Sequence, residues 1–338
     1  MRTVIEFRIP EANAATVLSP SDGVLLGGTV RKLVMTLPDD RFALVGRAEA
    51  DRRAAGRTFF TWWNVTRSYT AAELDRADVF TAEVARVFEP AGEECGTEYD
   101  ETVACPVCGA DARRVGPLWL PAGRVPKAVD VARTIAGEVV VSQRFAEAAV
   151  AAGLTGFDLR PVHDGKATPG AVEAWTRLLT DSRLIEGASA AGVDPDSSTY
   201  FVWLGSPGQA DVVDAVAREV GVRWNPGTGR RWYELVVSRT VSVSADTVFG
   251  ENPFTDPGVR PDRCPNGHVL GLNRLSELSV IEGSMPEVDL AATVEFVGAR
   301  RGLLRPQPIL VASARFREIL ETAGLKGFSV EVARLVAS

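Results

Sequence analysis

Four cysteines and two histidines hold most of the metal-binding potential of this 338-residue chain, and their spacing is uneven. Cys105-Pro106-Val107-Cys108-Gly109 places two thiols two residues apart, with a glycine after the second. A tight turn of that composition lets both sulfurs face one cation, as in zinc knuckles. Cys95 supplies a third thiol upstream, and Cys264-Pro265-Asn266-Gly267-His268 supplies a fourth together with an imidazole. Five candidate ligands for a four-coordinate site lead to an expectation of one structural zinc on Cys95, Cys105, Cys108 and Cys264, with His268 as the alternative fourth ligand. A catalytic zinc with Glu93, Glu94 or Glu98 as base would need an open coordination position. A redox Cys-x-x-Cys pair fits the surrounding Pro and Gly less well than a ribbon turn does.

The elements that must position these residues occur twice. Cys264-Pro265 repeats Cys105-Pro106 at a displacement of 159, and Asp289-x-Ala291-x-Thr293 repeats Asp130-x-Ala132-x-Thr134 at the same displacement. Ser313 to Phe328 then repeats Ser142 to Phe157 at 171, with nine of sixteen residues identical, so the second copy carries a 12-residue insertion. In each copy a strand leads to a serine N-cap, Ser142 or Ser313. A helix follows with its apolar face on Phe145, Ala149 and Ala152, or Phe316, Leu320 and Ala323, and it stops at Gly153 or Gly324. Arg144 with Glu147, and Arg315 with Glu318, read as solvated ion pairs one turn apart.

The fold class expected is α+β: two related lobes from an internal duplication, with mixed or antiparallel sheets, short helices and a zinc-ribbon-like knuckle. The polar, turn-rich stretch from His163 to Gly170 marks the boundary, giving a first lobe over 1–165 and a second, with a degenerate knuckle, over 166–338. The first 67 residues read mostly as strands, including Arg41 to Arg47 and Thr58 to Arg67; Thr70-x-x-Glu73 is a capping box. Further on, Tyr200 to Leu204 reads as a strand, Pro207 to Val220 as an amphipathic helix, and Asn225 to Gly229 as a turn.

Composition bounds the function. The start has no apolar leader-like run and no stretch approaches the length of a membrane span, which leads to an expectation of a cytoplasmic protein with no membrane partner. In that compartment four cysteines are thiols or metal ligands rather than disulfides. No Gly-x-Ser-x-Gly, P-loop or dinucleotide motif is present, so the chain reads as non-enzymatic. A net charge of −7 argues against a phosphate backbone as the main partner. The alternative, a zinc-ribbon nucleic-acid binder, would use Arg230, Arg231, Arg300, Arg301 and Arg305 with Trp224 or Trp232 as a stacking surface.

Cys105-Pro106-Val107-Cys108-Gly109, Val140-Val141-Ser142-x-Arg144-Phe145 and Gly153-Leu154-Thr155-Gly156-Phe157 together resemble the C-terminal part of the double-CxxCG motif proteins, grouped with the bacterial immunity proteins of polymorphic and contact-dependent toxin systems. The resemblance covers Cys105 to Val162 and, in degenerate form, Cys264 to the C-terminus; the chain departs from the pattern in having one intact motif and two partial ones. It implies metal binding by Cys105, Cys108 and Cys95, and a cytoplasmic protein that blocks a partner protein. An acidic chain would suit a basic toxin through electrostatic steering.

Overall fold

A computed structural model describes residues 1–222, 224, 231–250, 252–254, 264–268, 273–298 and 300–337. The turn expected at Asn225 to Gly229, and Arg230, lie outside the described residues. The chain is mixed α+β and forms two compact units with boundaries unlike the expected 1–165 and 166–338. One unit comprises Met1–Ala77, Thr247–Pro261 and Leu272–Glu277; the other comprises Asp78–Asp246, Asp262–Gly271 and Leu278–Ser338. The His163 to Gly170 stretch is internal to the second unit, because His163–Asp164 is a strand paired in parallel with Trp119–Leu120 rather than a linker.

In the first unit β1 (Arg2–Pro10), β2 (Val24–Leu26), β3 (Val30–Thr36) and β4 (Trp62–Ser68) form a sheet in the order β2-β3-β1-β4. Ile5, Phe7 and Ile9 alternate inward along β1 and are buried with Leu33 and Met35. The expected strand at Arg41 to Arg47 is instead part of helix α1 (Asp40–Ala54). Asp39 caps it by accepting from the Arg41 amide, and Phe42, Val45 and Ala48 recur at helical spacing to meet the sheet. The Thr70 and Glu73 capping box forms as expected.

The second unit has two larger sheets. The strands of these two sheets are β5 (Val79–Val84), β6 (Val87–Phe88), β7 (Val131–Thr134), β8 (Val139–Ser142), β9 (Phe157–Pro161), β10 (Trp232–Val237), β11 (Thr240–Val241), β12 (Leu278–Ile281), β13 (Leu290–Val297), β14 (Gln307–Ser313) and β15 (Phe328–Val336). One sheet runs β9-β10-β8-β7-β6, the other β11-β13-β14-β5-β15-β12. The repeated sequences adopt matching structures: β7, β8, helix α2 (Gln143–Ala151) and β9 in one copy, β13, β14, helix α7 (Ala314–Thr322) and β15 in the other. Ser142 caps α2 and Ser313 caps α7 with nearly the same backbone angles, φ −73° and ψ 162° against φ −73° and ψ 164°.

The correspondence extends further back than the sequence match. β5 leads into the first copy but pairs with β14 and β15 of the second; β10 leads into the second copy but pairs with β8 and β9 of the first. The two-residue strand that comes next after each leading strand returns to its own copy, β6 to β7 and β11 to β13, both in parallel. The connecting bonds match too: the Arg133 amide donates to the Arg86 carbonyl at 2.8 Å, and the Ala292 amide to the Arg239 carbonyl at 2.8 Å. The copies therefore exchange strands within one compact unit instead of forming two lobes. Phe145 and Phe157 of one copy share its core with Phe316 and Phe328 of the other.

A reciprocal clasp joins them. Asp130 accepts from Ser142 Oγ at 2.9 Å and Arg144 Nε at 3.0 Å, and from the Lys326 amide of the other copy at 2.9 Å. Asp289 accepts from Ser313 Oγ at 3.0 Å, Arg315 Nη1 at 3.1 Å and the Thr155 amide at 3.0 Å. Arg144 and Arg315 thus pair with Asp130 and Asp289 of their own copies, not with Glu147 and Glu318. They go on to donate to the Gly324 and Ala152 carbonyls that end the opposite helix. The Arg144 guanidinium and the Lys326 amide outweigh burial and hold the Asp130 carboxyl below its ordinary range. A depressed folded pKa contributes stability above the unfolded carboxyl value, and that stability is lost as pH falls through the folded value. Asp130→Ala is expected to destabilise by about 2–4 kcal/mol in denaturant titration at pH 7 and to flatten the loss of stability below about pH 4.

Between the copies the chain builds four helices, α3 (Ala171–Leu179), α4 (Ser182–Ala190), α5 (Ser198–Leu204) and α6 (Ala210–Val220), around Trp175, Leu184, Tyr200 and Val216. The expected strand at Tyr200 to Leu204 lies in α5. Five consecutive apolar residues carry no period that separates a buried strand from a buried helix turn, and the Tyr200 hydroxyl is satisfied by the Leu179 carbonyl of α3 at 3.0 Å.

Candidate metal centre

Two knuckles meet in the second unit. In the first, the Cys105 amide donates to the Ala110 carbonyl at 2.7 Å and the Gly109 amide to the Cys105 carbonyl at 2.8 Å. Gly109, at φ +76°, turns the chain so tightly that a Cβ there would meet the Arg300 side chain. In the second, the Cys264 amide donates to the His268 carbonyl at 3.0 Å and the Gly267 amide to the Cys264 carbonyl at 2.8 Å. Each knuckle precedes β7 or β13, so each copy contributes one.

Their side chains converge. Cys264 Sγ lies 3.8 Å from Cys105 Sγ and 4.0 Å from Cys108 Sγ, and His268 Nδ1 lies 3.2 Å from Cys108 Sγ and 3.3 Å from Cys264 Sγ. The four ligand atoms lie within 4.8 Å of one another and all four residues are buried, a Cys3His cluster that can hold a metal ion. The amides of Cys108 and Val107 aim at Cys105 and draw its thiol down to about 6. Burial, with Cys105 and Cys264 close by, pushes the Cys108 thiol up to about 11. Thiols this close repel as thiolates, and a bound cation relieves that repulsion.

Around the cluster, Asp111 Oδ2 lies 3.5 Å from His268 Nε2, leaving Nδ1 to face the sulfurs. A carboxylate behind a ligating imidazole fixes its tautomer and ring orientation. Asn266 Nδ2 donates toward Cys105 Sγ at 3.4 Å, and the Phe296 ring packs edge-on against His268 at 5.7 Å. The Arg300 amide donates to the Cys108 carbonyl at 3.0 Å, tying the insertion of the second copy to the first knuckle.

No family model, curated protein or solved structure matches the chain.

The geometry therefore decides among the candidate residues. Cys105, Cys108, Cys264 and His268 come together, so both candidates from the second copy join the cluster rather than one. Cys95 does not join it. It ends a short 3-10 turn, Gly92–Cys95, and is buried among Trp119, Trp175 and Leu178, where desolvation raises its thiol pKa. In that apolar setting Cys95 is a small hydrophobe. Sequence spacing missed Asp111, the only described non-glycine residue at positive φ (+66°), and the joint use of Cys264 and His268, which a Cys-x-x-x-His reading would have found.

Among the described residues, those of the nucleic-acid alternative do not assemble a basic stacking face. Arg305 donates to Glu101 at 2.6 Å and Glu93 at 2.9 Å, with its guanidinium 4.0 Å from the Tyr99 ring, and Arg300 pairs with Glu101. Arg231 lies over Trp224 and donates to the Leu204 carbonyl, while Trp224 and Trp232 are both buried. Arg301 is exposed in a tight turn closed by bonds to Leu304. Of the carboxylates considered as a base, Glu93 is engaged by Arg305 and Glu94 accepts from the Ala91 amide.

Proposed function

We propose that Cys105, Cys108, Cys264 and His268 hold one structural zinc ion that clamps the two copies of an internal duplication. We further propose that the protein is a non-enzymatic binding protein of the immunity type. The observation that carries the metal reading is the convergence of one knuckle from each copy on a single Cys3His cluster. A tetrahedral zinc with thiolate bonds of about 2.3 Å would set its sulfurs about 3.8 Å apart. The separations of 3.8 and 4.0 Å match that edge. Three thiolates and one imidazole suit zinc over hard cations, and four protein ligands leave no position for substrate, so the role is structural. The duplication reading is supported by the matched caps, clasps and exchanged strands.

The binding role rests on the sequence resemblance and on the net charge of −7, which favours encounter with a basic protein partner such as a toxin. In the described residues, no helix is long and apolar enough to cross a membrane. One experiment addresses both parts: the tagged full chain is purified from its own host, its metal content is measured, and the co-purifying molecules are identified. One zinc per chain and one small basic protein in equal amount are expected. A metal-free protein with four titratable thiols would sink the zinc centre, and nucleic acid as the main co-purifying species would sink the protein-partner reading.

A further inference from the structure

A second site lies within the same unit but involves none of the metal-cluster residues. The stretch Arg114–Leu118, β9 and helix α3 enclose an open cavity of about 310 Å³. That is the low end of the range for small-molecule sites, about 300–1,000 Å³. Its walls are mostly apolar, built from Leu118, Val172, Trp175, Leu179 and Phe201. Only a few polar groups reach it, and each has a distinct state.

His163 is one of them. Its residue is 5% exposed, its ring stacks on Trp175 with centroids 3.8 Å apart, and its Nδ1 is buried with no hydrogen-bond partner among the described residues. Desolvation holds its pKa down to about 3, so the imidazole is neutral and offers one uncommitted polar atom. Arg114 is spoken for, since its guanidinium grips Glu234 with both forks and the pair is largely buried. Arg160 is exposed and makes no ion pair among the described residues; burial raises the Glu234 carboxyl, and Arg160, with Arg114, offsets part of that rise. Two guanidiniums and one carboxylate leave the lining with a single positive charge, carried at the exposed side. An apolar, aromatic-walled cavity with an exposed guanidinium at its rim is complementary to one kind of molecule.

We propose that this cavity binds a small aromatic monocarboxylate, with its carboxylate on Arg160 and its ring against Trp175 and Phe201. The test uses the full zinc-loaded chain and indole-3-acetate as probe, followed by calorimetry and by saturation-transfer NMR. Saturable binding of one probe per chain is expected. Neutral indole-3-ethanol should bind about tenfold more weakly. Arg160→Ala, an exposed position, should weaken indole-3-acetate about tenfold while leaving indole-3-ethanol unchanged, and Val172→Trp, which fills the cavity, should abolish both. Circular dichroism and zinc content identify any variant that fails to fold, and Arg160→Ala alone then carries the test. The proposal is overturned if neither method detects binding at millimolar probe, or if folded Arg160→Ala binds acid and alcohol as the parent does.

Discussion

Cys264→Ser is expected to yield a protein without bound zinc and with sharply reduced stability, whereas Cys95→Ser is expected to keep its zinc. Both cysteines are buried free thiols in the same chain, so chemical type does not separate them. Position does: Cys264 Sγ is within 4.0 Å of both Cys105 and Cys108, whereas Cys95 packs against Trp119 and Trp175. A ligand present at a thousandfold its dissociation constant stabilises the folded state by about 4 kcal/mol, and Cys264→Ser forfeits that contribution. Cys95→Ser places a hydroxyl in an apolar core and should cost about 1–3 kcal/mol without touching the metal. Chelator distinguishes the two. Denaturant midpoints of the parent and of Cys95→Ser should fall when metal is stripped, and that of Cys264→Ser should not move. If stripping metal leaves the parent's midpoint unchanged, or if Cys95→Ser also loses its zinc, the assignment of ligands is wrong.

Gly327→Ala and Gly156→Ala are expected to destabilise more than Gly324→Ala, although all three glycines have positive φ. A Cβ on Gly327 would run into the Val131 carbonyl, and one on Gly156 into the Leu290 carbonyl, in each case backbone of the opposite copy and far inside van der Waals distance. At Gly324, φ +60°, no atom would lie within 4 Å of the new methyl. The last substitution meets only the left-handed backbone penalty, about 1 kcal/mol. The first two add a clash with carbonyls that neighbouring hydrogen bonds hold in place, for a total of at least about 3 kcal/mol. Urea titration of the three variants reads the difference directly. Equal losses would mean that the copies do not dock as closely as these glycines imply.

The same pair of glycines shows how far the sequence could be read. Gly156 and Gly327 were visible as repeated residues after Leu154-Thr155 and Leu325-Lys326, but nothing local says that their missing side chains admit another copy's backbone. The strand, serine cap, helix and glycine stop were legible, and the structure bears out each in both copies, because those features depend on contacts within about a turn of the chain. The reading failed at Arg41 to Arg47 and Tyr200 to Leu204, where short apolar runs suit either period and tertiary packing chose the helix. It failed again at His163, where polar turn-formers beside a buried strand imitated a linker.

Cys105-x-x-Cys108 could be recognised as half of a metal site because a knuckle is a local turn whose geometry its own residues dictate. The other half was chosen by topology. Cys95 is closer in the chain than Cys264 and His268, yet the exchange of β5 and β10 between copies belongs to a fold that brings residues 159 positions apart together and leaves Cys95 under the helices. Local composition thus determined which segments could turn, cap and bind. Long-range strand pairing decided which of them meet, because hydrogen-bonded register and core packing act between segments whose sequences carry no record of each other.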